Sequence, residues 1–223
     1  LGVTGEFDVL PTIGSKEFIA LLPTFLQSKS VLYPKVAYPT YLVSALMASA
    51  QATPVDIDAG KWPKADLAWL NSPSNPTGQV QTDQELTACI NWSRTNQAIL
   101  ASDECYLSFS EDAKSILALA NGNNTGLLAV LSLSKRSNLA GYRAGFVVGD
   151  SKLIDQIRQV RKHAGLMVPL PVQQAMISAL SDEKHVKEQA DRYSNRRQML
   201  RQALLSKGFK IEHSEAGLYI WCT

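Results

Sequence analysis

The chain has 223 residues, of which 45% are hydrophobic, so it can bury the core of one large domain or of one domain and part of another. Its formal net charge of +2 argues against a surface dedicated to nucleic acid, and no apolar run approaches the roughly 20 residues that a membrane-spanning helix needs. The three cysteines are odd in number and widely spaced, which is typical of a reduced cytoplasmic protein.

Apolar runs alternate with amphipathic segments along most of the chain, and this alternation predicts an α/β fold. We predict strands at 31–36, 52–57, 65–71, 98–103, 127–133 and 144–149. We predict helices at 15–27, 39–50, 82–96, 151–163 and 169–180. A capping box of Thr82 and Glu85 begins the third of these helices. Elements in this order form a three-layer α/β/α structure with a mostly parallel sheet.

The last part of the chain has a different pattern. The sequence at 182–207 has an apolar stripe that predicts one long helix, and the pattern of residues 209–222 predicts strands. We therefore expect a large domain at 1–181, and at 182–223 a connecting helix followed by the beginning of a small domain.

Residues 11–17, PTIGSKE, lead into an apolar run, so a glycine and a serine open a helix. The free N–H groups of a helix N-terminus and the helix dipole attract anions. We therefore expect the backbone at Gly14, Ser15 and Lys16 to form an anion site.

Two later motifs follow apolar runs. Residues 38–41, YPTY, place Tyr38 where its ring can lie flat against a planar group. Residues 71–78, NSPSNPTG, form a turn at a strand end, because proline and glycine favour turns, and this turn presents Asn75 as a side-chain donor.

Residues 102–106, SDECY, come directly after another short apolar run. A carboxylate such as Asp103 at a strand end can pair with the nitrogen of a pyridine ring and keep it protonated. Tyr106, three residues on, can reach an oxygen of the same ring, as can Asn75.

The most informative stretch is 132–135, SLSK, which ends the apolar run 127–133. Its lysine, Lys135, lies where a strand stops and side chains open into a cleft. Ser132 before it and Arg143 after it can hold a phosphate dianion. A lysine amine condenses with an aldehyde, so the set suits pyridoxal phosphate. Considered alone, Lys135 would be interpreted as a solvated surface lysine. Asn75 and Asp103 upstream of it favour a role in binding the cofactor.

In combination these motifs resemble the fold-type I pyridoxal phosphate-dependent aminotransferases of class I and II, over essentially the whole chain. The similarity is closest to the actinobacterial-type succinyldiaminopimelate aminotransferases of lysine biosynthesis. The segments that carry it are 10–17, 38–41, 69–78, 132–146 and 214–219. The resemblance implies a homodimeric transaminase without nucleic-acid or membrane partners. Its substrates would be an amino acid, with glutamate expected, and a keto acid such as N-succinyl-2-amino-6-ketopimelate.

The same resemblance implies a role for each motif residue. Lys135 would bind the cofactor through its aldehyde and move the proton at the substrate's α carbon, and Asp103 would pair with the pyridine nitrogen. Asn75 and Tyr106 would hold the phenolic oxygen, and Tyr38 would stack on the ring. The phosphate would be bound by Ser132, Arg143 and the backbone at Gly14, Ser15 and Lys16.

Family members extend further at both ends, so we expect this chain to lack an N-terminal arm and most of the small domain. The missing part of the small domain would include the arginine that binds the substrate's α-carboxylate. We therefore expect the chain to transfer amino groups poorly by itself, and residues 218–221 to be poorly covered.

Two alternatives stay open: another fold-type I enzyme such as a carbon–sulfur lyase, and a cofactor-binding fragment without turnover. The cofactor motifs do not separate them, because the reaction depends on which substrate bond stands perpendicular to the ring. The histidines have no metal-ligand spacing, so we expect no metal site. Residues 161–163 are predicted to form an exposed cationic helix end.

Overall fold

A computed structural model describes residues 1–223, and its centre is a seven-stranded sheet in the order β1-β7-β6-β5-β4-β2-β3. The strands are Asp8–Ile13 (β1), Ser30–Pro34 (β2), Gln51–Val55 (β3), Leu67–Asn71 (β4), Ile99–Asp103 (β5), Leu127–Ser132 (β6) and Ala144–Gly149 (β7). Neighbouring strands are parallel except at β7, which is antiparallel to β1 and β6. The predicted α/β class with a mostly parallel sheet is confirmed.

The helices are Gly14–Phe25 (α1), Thr40–Met47 (α2), Asp83–Asn96 (α3), Ile116–Leu119 (α4), Leu133–Arg136 (α5), Ser151–His163 (α6), Leu170–Leu180 (α7) and Glu183–Ser206 (α8). Two short strands, Ile211–His213 (β8) and Trp221–Cys222 (β9), form a separate antiparallel pair. The capping box of α3 is present, because the Thr82 side chain accepts from Glu85 N while the Glu85 carboxylate accepts from Thr82 N.

Alternate residues along each strand contribute side chains to two hydrophobic cores, one on each face of the sheet. On β4, Leu67 and Trp69 belong to the core shared with α1, α2 and α6, whereas Ala68 and Leu70 belong to the core shared with α3 and α4. Successive side chains of a strand point to opposite faces of the sheet, so a strand that is buried on both faces has a continuous apolar sequence. This is why the sequence predicted them.

The three central parallel strands end side by side. Asn71 at the end of β4 pairs with Asp103 at the end of β5, and Asp103 pairs with Val130 of β6. Residues that follow these strands therefore meet at one edge of the sheet, where open α/β sheets bind ligands.

Strand β1 was not predicted. It contains Pro11 and pairs with β7, more than 130 residues further along the chain, at the edge of the sheet. Proline is tolerated in an edge strand, but a local pattern does not reveal a partner so remote.

The expected cationic helix end was also wrong for Arg161. This side chain is 1% exposed, and its guanidinium donates to both carboxylate oxygens of Glu17 at 2.6 and 3.0 Å. The arginine thus joins α6 to α1 instead of facing solvent.

The C-terminal part of the chain packs on the rest through few side chains. Val186 of α8 is buried, but Leu200 on the same predicted stripe is 54% exposed. Residues 218–221, which were expected to be poorly covered, are half-buried. The division into domains at residue 181 stays a prediction.

None of the helices combines the length and the apolar character needed to cross a lipid bilayer.

Candidate active site

A cleft of about 260 Å³ opens where β4, β5 and β6 end. Nine of the ten predicted site residues line it, and the tenth, Gly14, adjoins it. The lining is Ser15, Lys16, Ile19, Tyr38, Asn75, Asp103, Cys105, Tyr106, Ser132, Ser134, Lys135, Ala140, Arg143 and Tyr219. Segments from almost the full length of the chain therefore converge on one place.

Lys135 lies in the short helix α5, immediately after β6. The side chain of Ser132 caps this helix by accepting from Ser134 N at 3.1 Å. Lys135 is half-buried and faces the cleft together with Ser134. The strand end and the cap thus present one amine and two hydroxyls to the same space.

Asp103, the last residue of β5, is 6% exposed. Its carboxylate accepts from the Tyr41 hydroxyl at 2.9 Å and from Cys105 N at 3.2 Å. Burial raises the pKa of Asp103, which the hydrogen bonds from Cys105 and Tyr41 only partly oppose, and no cation is among the groups that act on it. A buried carboxylate without a cationic partner is suited to a ligand that brings a positive charge.

Tyr41 is a site residue that the sequence reasoning missed. Its side chain is fully buried and stacks on Trp69, with ring centroids 5.4 Å apart. Burial and the neighbouring Asp103 raise the pKa of Tyr41, so its hydroxyl stays a donor to the carboxylate. The available signal was its place in the segment YPTY, three residues after Tyr38 and at the start of α2.

An anion cradle lies at the start of α1. Gly14 has φ +69°, and a Cβ there would lie 2.4 Å from Nη2 of Arg143. Arg143 is fixed in turn, since its Nη1 donates to Ala140 O at 2.9 Å. Only a glycine leaves room for the guanidinium beside the first turn of the helix, whose N–H groups have no partner within the helix. This geometry fits a phosphate dianion.

The loop after β4 is held by Asn71, a second residue that the sequence reasoning missed. Its Oδ1 accepts from Asn75 N at 2.7 Å, and its Nδ2 donates to Asp103 O at 2.9 Å. Asn71 therefore ties Asn75 to the end of β5. No local motif distinguishes it from any other asparagine at the end of a strand.

Aromatic side chains close the cleft. Tyr38 is half-buried, and the Lys16 amine lies 5.4 Å from its ring centroid. The hydroxyl of Tyr106 lies 2.8 Å from that of Tyr219, a residue that was not predicted to belong to the site. An aldehyde-reactive amine, a buried acid, an anion cradle and flat aromatic walls together fit the parts of pyridoxal phosphate.

Comparison with known proteins points in the same direction. The sequence profile of the family described as "Aminotransferase class I and II" matches residues 3–223. The 4-dedimethylamino-4-oxo-anhydrotetracycline transaminase OxyQ of Streptomyces rimosus is 49% identical over 100% of this chain and 65% of its own length. A probable aminotransferase of Mycobacterium tuberculosis is 48% identical over 98% of this chain and 54% of its own length.

Solved structures share the fold. A probable N-succinyldiaminopimelate aminotransferase from Thermus thermophilus has a TM-score of 0.89 at 28% identity, covering 96% of this chain and 62% of that one. The substrate-bound BacF structure from Bacillus subtilis also has a TM-score of 0.89, at 27% identity, covering 99% and 61%. The chain thus spans between half and two thirds of the length of these proteins.

Proposed function

Because the chain belongs to the class I and II aminotransferase family, we propose that it binds pyridoxal phosphate and transfers an amino group between an amino acid and a keto acid. One observation carries this proposal: a single cleft holds the Lys135 amine, the Asp103 carboxylate without a cation, and the cradle of Arg143 and Gly14.

When bound, pyridoxal phosphate supplies an aldehyde that captures amines and a ring that accepts electrons from the substrate's α carbon. Asp103 would hold the proton on the ring nitrogen. The Lys135 amine would anchor the cofactor and carry the proton at the α carbon. Arg143, Ser132 and the first turn of α1 would bind the phosphate, and Tyr38 would cover one face of the ring.

For the substrates, the proposal is glutamate as donor and N-succinyl-2-amino-6-ketopimelate as acceptor, in lysine biosynthesis. It is supported by the likeness to the Thermus thermophilus protein, and by an LL-diaminopimelate aminotransferase of Gloeobacter violaceus that is 31% identical over 99% of this chain and 61% of its own length. OxyQ is named for an oxo-anhydrotetracycline, so an acceptor of that kind is the competing choice.

A homodimer in the cytoplasm completes the proposal. Helix α2, which carries Tyr41 on its buried side, exposes Leu42, Leu46 and Met47 by 39, 64 and 54%. An apolar helix face beside the cleft suits a second copy of the chain. All three cysteines are free thiols, which is typical of a reducing compartment.

Covalent trapping tests the cofactor assignment. Incubation with pyridoxal phosphate, borohydride reduction and peptide mapping should label Lys135, because its amine faces the cleft. Lys135→Ala should lose both the label and the visible absorbance of the bound cofactor. Lys35→Ala, which removes a surface lysine paired with Asp56, is the control and should keep both. Label confined to Lys16, the other amine of the cleft, would contradict the assignment.

An amino-transfer assay tests the reaction. The protein should transfer the amino group of glutamate to a keto acid, and Lys135→Ala should lose this transfer, because the Lys135 amine would carry the proton at the α carbon. Equal rates in wild type and Lys135→Ala would refute this expectation. Thiol release from a sulfur amino acid in place of transfer would favour the carbon–sulfur lyase.

A further inference from the structure

The hydroxyls of Tyr106 and Tyr219 lie 2.8 Å apart, although 113 residues separate them in the chain. Tyr106 follows β5 and is 5% exposed, while Tyr219 lies between β8 and β9. Both side chains line the cleft that holds Lys135. The C-terminal segment therefore contributes a polar group to the site.

Three contacts hold this segment in place. Ala216 N donates to Gly78 O at 2.9 Å, which attaches the segment to the loop that carries Asn75. Arg197 of α8 donates from Nη1 to Gly217 O at 2.8 Å. Gly217 packs against the Tyr106 ring, where an added Cβ would lie 3.6 Å from Cδ1. The Tyr219 hydroxyl is thus fixed relative to Tyr106.

The direction of the hydrogen bond between the two hydroxyls decides what Tyr106 can do. A phenol has one proton to donate and lone pairs that accept. If Tyr106 donates to Tyr219, then its proton is used within the protein. If Tyr219 donates, then Tyr106 keeps its own proton for a third group. Burial raises the pKa of Tyr106, so its hydroxyl keeps this proton at neutral pH.

We propose that Tyr219 is a positioning residue that donates to the Tyr106 oxygen and so turns the Tyr106 proton toward the phenolic oxygen of the bound ring. This inference rests on the proposed function. It makes the segment 214–219 part of the cofactor site, because that segment sets the orientation of a hydroxyl that follows β5. Polarisation along the chain of hydroxyls would also strengthen the bond to the ring.

The first measurement uses the cofactor-free protein. Urea unfolding of wild type, Tyr106→Phe, Tyr219→Phe and the double variant gives the coupling between the two hydroxyls. We expect a coupling of about fivefold in the unfolding equilibrium constant, the size of one typical hydrogen bond. Additive effects would overturn the inference. Tyr193→Phe is the matched control, because it also removes a tyrosine hydroxyl, in this case from a ring whose centroid lies 5.6 Å from that of Phe109.

The second measurement is the pH midpoint of the visible absorbance of the bound cofactor. A donor to the phenolic oxygen stabilises its anionic form, so losing that donor should raise the midpoint, by about one pH unit in Tyr106→Phe. Tyr219→Phe should raise it by roughly half a unit, because it acts only by polarising and orienting Tyr106. The double variant should match Tyr106→Phe alone.

Two results would overturn this inference and leave the proposed function standing. One is an unchanged midpoint in Tyr219→Phe beside a normal wild-type titration. The other is a double variant whose midpoint shift equals the sum of the shifts in the two single variants. A wild-type protein that develops no visible absorbance with pyridoxal phosphate would overturn the proposed function and this inference together.

Discussion

Asp103 contributes to the proposed function through its buried charge, which no residue of the chain neutralises. Asp103→Asn keeps the shape of the side chain but removes the charge that would hold the ring nitrogen protonated. We expect single-turnover amino transfer from glutamate to slow by roughly 10²–10³-fold, the usual effect of removing one electrostatic stabiliser. Retention of the cofactor should change little, because Arg143 and Gly14 hold the phosphate. Near-wild-type single-turnover rates would contradict the role.

Glu104, next to Asp103, gives the folded protein a pH dependence of its own. It is 2% exposed, its Oε1 accepts from Ile116 N at 2.9 Å, and its Oε2 has no partner. Burial raises the pKa of Glu104 from 4.5 to about 7. Between these values the native state holds a proton that the unfolded chain has released, so the free energy of unfolding falls as pH rises.

The matched variant is Glu104→Gln, which is neutral at every pH. The free energy of unfolding of wild type relative to that of the variant should be constant below about pH 4.5. Between about pH 4.5 and pH 7 it should fall by on the order of 3 kcal/mol. Above that pH it should be constant again. Urea unfolding at a series of pH values measures it, and parallel curves for the two proteins would show that Glu104 titrates normally.

Several site residues could be predicted from the sequence because each follows an apolar run. Parallel strands place their carboxyl ends at one edge, so Asn75, Asp103 and Lys135 had to meet once the strands were recognised. Tyr41 and Tyr219 could not be found in this way. Their partners lie 62 and 113 residues away, and only the folded chain brings these pairs together.

At the scale of elements, the contact between α1 and α6 depends on Arg161. The side chain is 1% exposed and lies between the rings of Phe18 and Phe25, with its charge matched by Glu17 of α1. Arg161→Ala should lower the free energy of unfolding by roughly 3–5 kcal/mol, because it leaves the Glu17 carboxylate without its partner.

Arg158→Ala is the control for that experiment. Arg158 lies one turn earlier on α6 and pairs with Asp8 and Asp155, but its side chain is 33% exposed. Exposed pairs of this kind contribute about 0–1 kcal/mol. Urea unfolding of both variants compares them, and equal losses would mean that burial of the Arg161 pair has no special effect.

The elements themselves were largely predictable, and each predicted helix and strand is confirmed within a few residues. Helix α3 begins where its capping box predicts, because that signal is local. Helix α2 was predicted at 39–50 but ends at Met47, and Ser49 then adopts a φ of +53°. The sequence has no glycine there to mark the end, so the boundary was missed.

At the scale of the whole molecule, the layered architecture follows from the alternation of elements, but the attachment of the C-terminal segment does not. That attachment depends on Gly78, which has φ +74° and would place a Cβ 2.8 Å from Ala216 O. Gly78 N also donates to Ser74 O at 2.8 Å, which closes the loop that carries Asn75. One glycine thus joins the loop after β4 to the segment that carries Tyr219.

Gly78→Ala should therefore separate two parts of the cofactor site. We expect faster tryptic cleavage at Lys207 and Lys210, because the segment loses its contact with the loop, and weaker binding of pyridoxal phosphate, because Asn75 and Tyr106 lose their alignment. Gly165→Ala is a matched control: its φ is +76°, but an added Cβ there meets nothing within 4 Å. Both variants carry the cost of a left-handed alanine, about 1 kcal/mol, and only Gly78→Ala adds the clash. If the two variants are cleaved at the same rate and bind the cofactor equally, then contact with the loop is not what holds the C-terminal segment over the cleft.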